Sequence, residues 1–211
     1  MSRKIAIVGN GSFESHEAVM IDACDLVIRF NDCRSLGRGG SRTDVVAVCN
    51  TGRPAHGMVR QRAWRELPAV AGASEIWCVR DSMKFAELKS GLAPGLEDFC
   101  DDYTAEFAEF AAETGKAFKV IPRRHHDRID IELKAIRSAE YIVPSSGLMA
   151  IAYVIEEAAD VGDRVMLAGF DHEGWNGHPF DAERVLIERY IVEGRVRRLT
   201  AVPQRYADCG A

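Results

Sequence analysis

Long apolar runs are missing from this 211-residue sequence. None approaches the roughly 18 residues that a transmembrane helix needs, which argues against a membrane span. The amino terminus, Met1-Ser2-Arg3-Lys4, leads directly into a strand-like stretch and shows no cleavable signal peptide. From these two absences we expect a soluble, cytoplasmic protein.

Closely spaced cysteines are also missing. The six cysteines include no CxxC pair, so the ligand spacing of structural zinc is absent. In a chain without a signal sequence, an even number of cysteines does not imply disulfides. We therefore expect no metal and no disulfide framework. The absence of a Walker A sequence and of a nucleophile elbow excludes two common kinds of active site.

Excess positive charge is the third absence. The chain has 27 Lys and Arg against 32 Asp and Glu, which gives a net charge of −5. Such a chain is a poor candidate for binding nucleic acid or anionic membrane through bulk charge. No proline-rich linker, repeat or low-complexity tract divides it, so we expect one domain over residues 1–211.

Short apolar runs alternate with helical patterns along the chain. Strands that are apolar throughout are typical of a parallel sheet covered on both faces. The pattern predicts an α/β fold with a single doubly wound, mostly parallel sheet and helices on both faces, a variant of the Rossmann arrangement. Strands are predicted at 5–8, 26–30, 44–49, 75–79, 117–121, 164–168 and 198–202. Helices are predicted at 14–23, 103–114, 147–159 and 181–192.

The segments that follow the predicted strands are rich in glycine, asparagine, serine and histidine. In doubly wound folds, ligands bind outside the carboxyl ends of the strands, so these segments predict a binding site. Residues 38–42, with two glycines, are expected to form a mobile loop that closes over a ligand. The run Arg123-Arg124-His125-His126 is interpreted as a solvated basic turn rather than a phosphate or metal site.

Gly9-Asn10-Gly11-Ser12 follows the first predicted strand and precedes a helix. Glycines there let backbone N–H groups approach a phosphate, and the helix amino terminus adds partial positive charge. The third glycine of the dinucleotide fingerprint is missing, because position 14 is Glu. Asp32 lies about where a ribose-binding acid is expected. A nicotinamide-dependent oxidoreductase and a plain strand-to-helix turn both stay open.

Ser145-Ser146-Gly147 directly precedes an apolar helix. The pattern fits plain helix capping by serine, and it fits equally an anion pocket made of hydroxyls and free N–H groups. The sequence does not separate these two interpretations.

The segment from Gly169 to Phe180 carries two histidines, His172 and His178, together with Trp175. A histidine at a strand end can act as a general base near neutral pH. His178 stands before Pro179, which suits the first position of a helix, so we expect its imidazole at that helix entrance. The alternative is that each histidine is a loop residue bonded to the backbone.

Three groups of residues resemble, in order, the motifs of family 29 sialyltransferases. Residues 8–44 resemble the large sialylmotif in four pieces, at 8–11, 21–22, 25–31 and 40–44. Pro144–Ile151 with Gly169 and Phe170 resembles the small sialylmotif. His178–Glu183 resembles the very short motif, a histidine with a glutamate five positions on. The chain also resembles small bacterial proteins called urease operon accessory proteins, a name that describes gene neighbourhood and gives no chemistry.

The resemblance implies a metal-independent, inverting glycosyltransferase. Its donor would be a CMP-activated, sialic-acid-like sugar and its acceptor is unknown. His178 would be the general base, and His172 would stabilise the leaving group. The nucleotide-binding residues implied are Gly9, Asn10, Gly11, Asn31, Ser145, Ser146, Gly147, Gly169 and Phe170. In this set the asparagines take the phosphate and ribose region, the serines with Gly147 take phosphate or carboxylate, and the last two residues line the cytidine pocket.

A second function stays open because the interval that normally holds the third motif is much shortened here, with only His172 and Trp175 in it. The second hypothesis is a catalytically degenerate protein that binds a nucleotide, a phosphorylated ligand or a partner without catalysis. The third is the NAD(P)-dependent oxidoreductase.

Overall fold

The computed structural model describes residues 2–136 and 140–199. Within them lies one seven-stranded sheet, in which each pair of neighbouring strands is parallel. The strand order is β5-β4-β3-β2-β1-β6-β7. The strands are β1 (Lys4–Val8), β2 (Leu26–Phe30), β3 (Val45–Val48), β4 (Glu75–Cys78), β5 (Ala117–Val120), β6 (Arg164–Ala168) and β7 (Arg197–Arg198). The predicted α/β fold with a parallel sheet is confirmed.

Helices connect the strands. They are α1 (Glu17–Asp22), α2 (Gly52–Arg60), α3 (Arg62–Arg65), α4 (Pro68–Gly72), α5 (Ser82–Leu88), α6 (Thr104–Glu113), α7 (Arg123–Ile136), α8 (Ser146–Tyr153) and α9 (Phe180–Val192). A 3₁₀ turn at Lys89–Gly91 follows α5, and a π-helical turn at Val154–Ala158 follows α8.

Three predicted elements differ from the structure in extent. Helix α1 begins only at Glu17, whose carboxylate accepts the main-chain N–H of Glu14 (2.7 Å) in the turn ahead of the helix. The predicted helix over 147–159 ends as an α-helix at Tyr153 and continues as the π-helical turn. Of the seventh predicted strand, residues 200–202 lie outside the described residues.

The inner strands β1 to β4 are buried on both faces over nearly their whole length, whereas the outer strands β5 and β7 are partly or fully exposed. Ile5 and Ile7 of β1 join a core cluster with residues of α7, α8 and α9. Ala6 and Val8 point to the other face and pack with Ile21 of α1. Such two-sided burial is the condition under which parallel sheets are stable.

The chain changes direction across the sheet at β1. Strands β2 to β5 extend from one side of β1, and β6 and β7 extend from the other. At the carboxyl ends of the two central strands, the N–H of Gly9 donates to the carbonyl of Ala168 (2.9 Å). In open α/β sheets, ligands bind in the crevice outside the strands at such a switch point. The fold therefore directs attention to the space beyond Gly9.

The loop 38–42 is anchored rather than mobile, so that prediction was wrong. The buried guanidinium of Arg29 in β2 donates to the carbonyls of Gly39 (2.7 Å) and Arg42 (3.0 Å). The carboxylate of Asp22 accepts the N–H groups of Ser41 and Arg42 (both 2.9 Å). Glycine content suggested mobility, but these two partners, distant in sequence, fix the loop against β2 and α1.

Gly9 lies where the end of β1 packs closely against the end of β6. A Cβ at this position would lie 2.2 Å from the carbonyl oxygen of Gly169, a main-chain atom that cannot rotate away. We expect Gly9→Ala to force the strands apart and to lower the free energy of unfolding by about 1–3 kcal/mol. Urea unfolding followed by circular dichroism measures the loss.

The matched control is Gly57→Ala in α2, where the nearest atom to an added Cβ is 3.9 Å away. Alanine is the better helix former, so this change is expected to leave stability unchanged or slightly higher. Equal losses from the two substitutions would contradict the tight approach at Gly9.

Candidate functional site

A cavity of about 550 Å³ lies at the switch point of the sheet. Its walls come from the ends of β1, β2 and β6 and from the starts of α8 and α9. The sequence-predicted site residues that line it are Gly9, Asn10, Gly11, Asn31, Ser145, Ser146, Gly147, Gly169, Phe170, His172 and His178. The fold thus brings every residue of that prediction to one cavity.

The turn after β1 is held tightly against the segment after β6. The N–H of Gly11 donates to the carbonyl of Gly169 (2.9 Å), and the N–H of Ser12 donates to the carboxylate of Asp171 (2.9 Å). A Cβ at position 11 would lie 2.5 Å from the Asp171 carboxyl group, so a larger residue there would displace that side chain. These amides, like that of Gly9, are occupied within the protein. The glycines therefore serve close packing, and they do not form the open phosphate cradle that the sequence suggested.

Two asparagines bring amide groups to the cavity from the ends of β1 and β2. The Oδ1 atom of Asn10 is buried and has no hydrogen-bond partner within the described residues. Asn31 adopts a left-handed backbone (φ 52°), which asparagine tolerates better than most residues. Its Oδ1 accepts the N–H of Cys49 (2.8 Å), which leaves the Nδ2 group as the side-chain donor. Asn31 therefore offers a donor at the cavity, and Asn10 has a buried acceptor without a partner beside it.

Helix α8 begins at the cavity wall and is capped by Ser145. The Ser145 hydroxyl accepts the N–H of Leu148 (3.1 Å) and donates to the carboxylate of Glu183 (2.6 Å). The capping interpretation therefore applies to Ser145. Ser146 and Gly147, the first two residues of the helix, line the cavity, and N–H groups at these positions have no partner inside a helix. The positive end of the α8 dipole consequently borders the cavity.

Glu183 fixes the start of α8 relative to α9. Its carboxylate accepts both the N–H and the hydroxyl of Ser145, each at 2.6 Å. The residue is 1% exposed. Burial raises the pKa of Glu183, and the bonds from Ser145 and the positive charge of Arg80 act in the opposite direction. With both oxygens engaged, this carboxylate acts as an anchor.

His178 brings a neutral imidazole to the cavity. Its Nδ1 lies 2.9 Å from the carbonyl of Val143 and donates to it, so the lone pair of the neutral ring is on Nε2. Burial lowers the pKa of His178 to about 4; the bond to Val143 opposes this shift and the charge of Arg80 adds to it. The rings of Trp175 and Phe180 pack edge-on against it, with centroids 5.1 and 5.4 Å away. At pH 7 the ring can accept a proton.

His172 lines the same cavity from the loop after β6. Its backbone is left-handed (φ 55°) and its ring is tilted against that of Phe170, 6.4 Å between centroids. Its buried Nε2 has no hydrogen-bond partner in the described part of the chain. Burial, and then the positive charges of Arg198 and Arg184, lower the pKa of His172. The cavity therefore contains a second neutral imidazole.

Arg34, which the sequence analysis missed, also lines the cavity. It is exposed and lies 3.3 Å from the carboxylate of Asp32. Asp32, the suggested ribose-binding acid, is thus paired with this arginine. Its position in the polar segment after β2 could have predicted that Arg34 lies at the cavity. There it adds positive charge to the cavity rim.

Arg123–His126 forms the first turn of α7, so its interpretation as a solvated turn was wrong. His125 and His126 are both buried, and the ring of His125 lies between the carboxylates of Glu156 (2.9 Å) and Glu157 (2.7 Å). The helical period turns both rings inward. Across residues 2–136 and 140–199, no group of three or more His, Cys, Asp or Glu residues is arranged to hold a metal ion. No helix of the described chain is long and apolar enough to cross a membrane.

Comparison with solved structures identifies the class of fold. A mammalian sialyltransferase in complex with Gal-β-1-3GalNAc-ortho-nitrophenol superposes with a TM-score of 0.56 at 18% identity, over 94% of this chain and 69% of that one. An α-2,3-sialyltransferase from Campylobacter jejuni in apo form gives 0.53 at 14% identity, over 94% and 75%. A sialyltransferase from Campylobacter jejuni in complex with a substrate analogue, cytidine-5′-monophosphate, gives 0.50 at 13% identity, over 93% and 79%. The chain has the sialyltransferase fold.

The particular family within this class is shown by sequence. The urease operon 23 kDa accessory protein of Rhizobium meliloti (strain 1021) is 50% identical over 200 residues, which is 93% of each chain. The chain belongs to the family of this accessory protein. No family model matches the sequence.

The two serines at the start of α8 make different contacts and predict different phenotypes. Ser145→Ala removes the cap and leaves the buried Glu183 carboxylate one donor short, so we expect a loss of about 2 kcal/mol in the free energy of unfolding. Ser146→Ala, one residue along, removes neither bond and is expected to stay within about 0.5 kcal/mol of wild type. Thermal and urea unfolding of both variants make the comparison. A stable Ser145→Ala variant would contradict the role of Ser145 as cap and anchor.

The neutral state of His178 predicts sensitivity to acid. Histidine in an unfolded chain titrates near pH 6.5, whereas folded His178 titrates near 4. The folded state therefore binds fewer protons between these values. Its stabilising contribution is complete above pH 6.5 and is lost as the pH falls towards 4.

We expect His178→Asn, which retains a side-chain donor for Val143, to flatten the pH dependence of the unfolding free energy in this interval. Urea unfolding between pH 4 and 8 tests this expectation. Parallel stability curves for variant and wild type would contradict the low pKa of His178.

Proposed function

We propose that this chain binds a CMP-activated, sialic-acid-like sugar and transfers the sugar to an acceptor hydroxyl with inversion and without metal. The observation that carries the proposal is that His178 and the amino terminus of α8 line one cavity. A neutral base and an anion site side by side are what glycosyl transfer to a hydroxyl requires. We further propose that residues 1–211 act as one domain and that the protein works in the cytoplasm.

In this proposal the nucleotide phosphate lies at the start of α8. The free N–H groups of Ser146 and Gly147, the Ser146 hydroxyl and the helix dipole bind it. The amides of Asn10 and Asn31 bind the adjoining ribose and phosphate oxygens. Ser145 contributes through the helix cap, because its hydroxyl is already bonded on both sides.

The cytidine ring lies against Gly169 and Phe170. A Cβ on Gly147 would lie 2.8 Å from the ring of Phe170, so the start of α8 and this aromatic wall are in contact. A base stacked on Phe170 would therefore have its phosphate within the reach of α8. This geometry supports a nucleoside monophosphate group rather than a longer polyphosphate chain.

In the chemical step one proton is transferred, one carbon–oxygen bond forms and one carbon–oxygen bond breaks. His178 Nε2 takes the proton of the acceptor hydroxyl while the acceptor oxygen bonds to the anomeric carbon. The bond from that carbon to the phosphate oxygen breaks, and its electron pair leaves with CMP. The negative charge of the donor's phosphodiester raises the pKa of His178 from its low value in the free protein, which makes it a stronger base when donor is bound. His172 is proposed to stabilise the leaving phosphate.

A second candidate function is ligand binding without catalysis. The name of the 50% identical relative, a urease operon accessory protein, favours an accessory role. The same cavity then binds a nucleotide or a phosphorylated ligand, and no sugar is transferred. The two candidates agree on CMP binding and differ only in turnover.

Calorimetric titration with CMP tests both candidates. We expect sub-millimolar affinity for CMP, weaker binding of UMP and AMP, and little binding of cytidine, which lacks the phosphate. Ser146→Ala is expected to weaken CMP binding about ten- to hundredfold, because one hydrogen bond to a charged oxygen is worth about 1.5–3 kcal/mol. No CMP binding at millimolar concentration would overturn the transferase, and saturable NADH binding would favour the oxidoreductase.

Turnover separates the two candidates. His178→Asn is expected to bind CMP as wild type does and to release no CMP from CMP-N-acetylneuraminic acid offered with a mixture of simple glycosides. Release of CMP by wild type and not by the variant supports the transferase. Equal, background release by both proteins, with CMP binding intact, supports the accessory role.

A further inference from the structure

Three consecutive residues ahead of α8 are each bonded by a different buried ionisable side chain. We call Val143, Pro144 and Ser145 the 143–145 segment. The ring of His178 bonds the carbonyl of Val143 (2.9 Å), and Glu183 bonds Ser145. The carbonyl between them, that of Pro144, accepts a hydrogen bond from the guanidinium of Arg80 (2.8 Å). Two of the three side chains come from one stretch, 178–183, whereas Arg80 comes from the end of β4.

The burial of Arg80 is energetically unusual. Its side chain is among the largest that are fully buried, and the residue is 2% exposed. No carboxylate of the described residues forms an ion pair with it, and its Nε has no hydrogen-bond partner there either. The guanidinium lies over the ring of Phe85, 5.1 Å from the centroid, which compensates only in part. A buried charge without a direct ion pair is costly, so a role beyond packing is needed to explain it.

The backbone around Arg80 is fixed as firmly as its side chain. The N–H of Arg80 donates to the side-chain oxygen of Asn50 (2.8 Å), and the Asn50 amide donates back to the Arg80 carbonyl (3.0 Å). The same amide donates to the hydroxyl of Thr104 (2.7 Å). Asn50 directly follows the β3 region, so Arg80 connects the carboxyl ends of β3 and β4 to the 143–145 segment.

Four groups experience the charge of Arg80. Phe85 of α5 stacks on it, and its field acts on His126 of α7, on His178 and on Glu183 of α9. The charge of Arg80 lowers the pKa of all three titratable groups, because a fixed cation disfavours protonation of histidine and favours the ionised carboxylate. The His126 ring is buried and its pKa is about 3, chiefly through desolvation, so it stays neutral beside the cation.

We infer that Arg80 is a positioning residue that holds the 143–145 segment through the Pro144 carbonyl and so fixes the His178 ring and the start of α8 on the same cavity. The catalytic meaning of this role rests on the proposed function, but the geometric role does not. Arg80 does not line the cavity and touches no substrate in this scheme. Burial is the main cause of the low pKa of His178, and the positive charge of Arg80 adds to it.

The test is nuclear magnetic resonance of the His178 ring in the full chain, with labelled histidine. We expect wild type to contain the Nδ1–H tautomer alone, identified by its two nitrogen chemical shifts. Arg80→Met removes both the charge and the bond to Pro144. We expect this variant to mix the two tautomers and to raise the His178 titration midpoint by about one pH unit. Arg80→Lys retains the charge without the planar fork, so we expect it to recover the midpoint but not the single tautomer.

The matched control is Arg29→Met, which removes another fully buried arginine that makes hydrogen bonds but no ion pair within the described residues. We expect this variant to lose stability and to leave the His178 signals unchanged. A folded Arg80→Met protein with the wild-type tautomer and midpoint would overturn the inference. If Arg80→Met does not fold, the Arg80→Lys variant tests the inference instead. An unaltered single His178 tautomer in Arg80→Lys would overturn the positioning role of the guanidinium bond to Pro144.

CMP titration separates this inference from the proposed function. Wild type that binds no CMP, with Arg80 variants that change the His178 ring, would overturn the proposed function and leave the positioning role supported. If wild type binds CMP and the Arg80 variants leave the His178 ring unchanged, the positioning role is overturned and the proposed function remains supported. Where turnover is present, we expect Arg80→Met to lower kcat at least tenfold and to change KM for the CMP-sugar little.

Discussion

The close contact between the ends of β1 and β6 is the constraint on which the rest of the structure depends. The N–H of Gly9 reaches the carbonyl of Ala168 at 2.9 Å, and no side-chain atom fits between Gly9 and Gly169. Beyond this point the chain turns away on both sides, which opens the crevice at the switch point. The asparagine side chains, the two imidazoles and the start of α8 line a common space because these two strands end together.

Behind that crevice, the start of α8 is supported by two buried ionisable side chains, Arg80 and Glu183, and by the partly buried, neutral imidazole of His178. Glu183 bonds Ser145, Arg80 bonds Pro144, and His178 bonds Val143. Desolvating such groups is expensive, and an apolar core would be more stable. A network of this kind gives a defined orientation instead, which a site with a base and an anion pocket requires. The family relationship to an accessory protein and the sialyltransferase fold are both compatible with such a rigid site.

Much of the fold followed from the sequence, because it depends on local patterns, and the residues implied by the sialyltransferase resemblance line one cavity. Apolar runs such as Ile5–Val8 mark buried strands, and polar residues directly after them mark the crevice. What a residue does there was less predictable, because it depends on partners far along the chain. Ser145 is an anchor as well as a cap because Glu183, 38 positions away, accepts its hydroxyl, and Gly11 packs closely because Asp171 meets it. Arg80 offered no local signal, since nothing around it in the sequence indicates that its charge is buried.

The pairing of β1 with β6 has a consequence for how the protein is made. Ile5 lies opposite Val165, and the main-chain N–H of Arg3 bonds the carboxylate of Asp163, 160 positions away. A contact between such distant parts of the chain forms slowly, because a large loop must close first. During synthesis, β1 leaves the ribosome long before its second neighbour exists. The crevice is therefore among the last features to form, and a nascent chain interrupted before residue 164 lacks the β6 side of it.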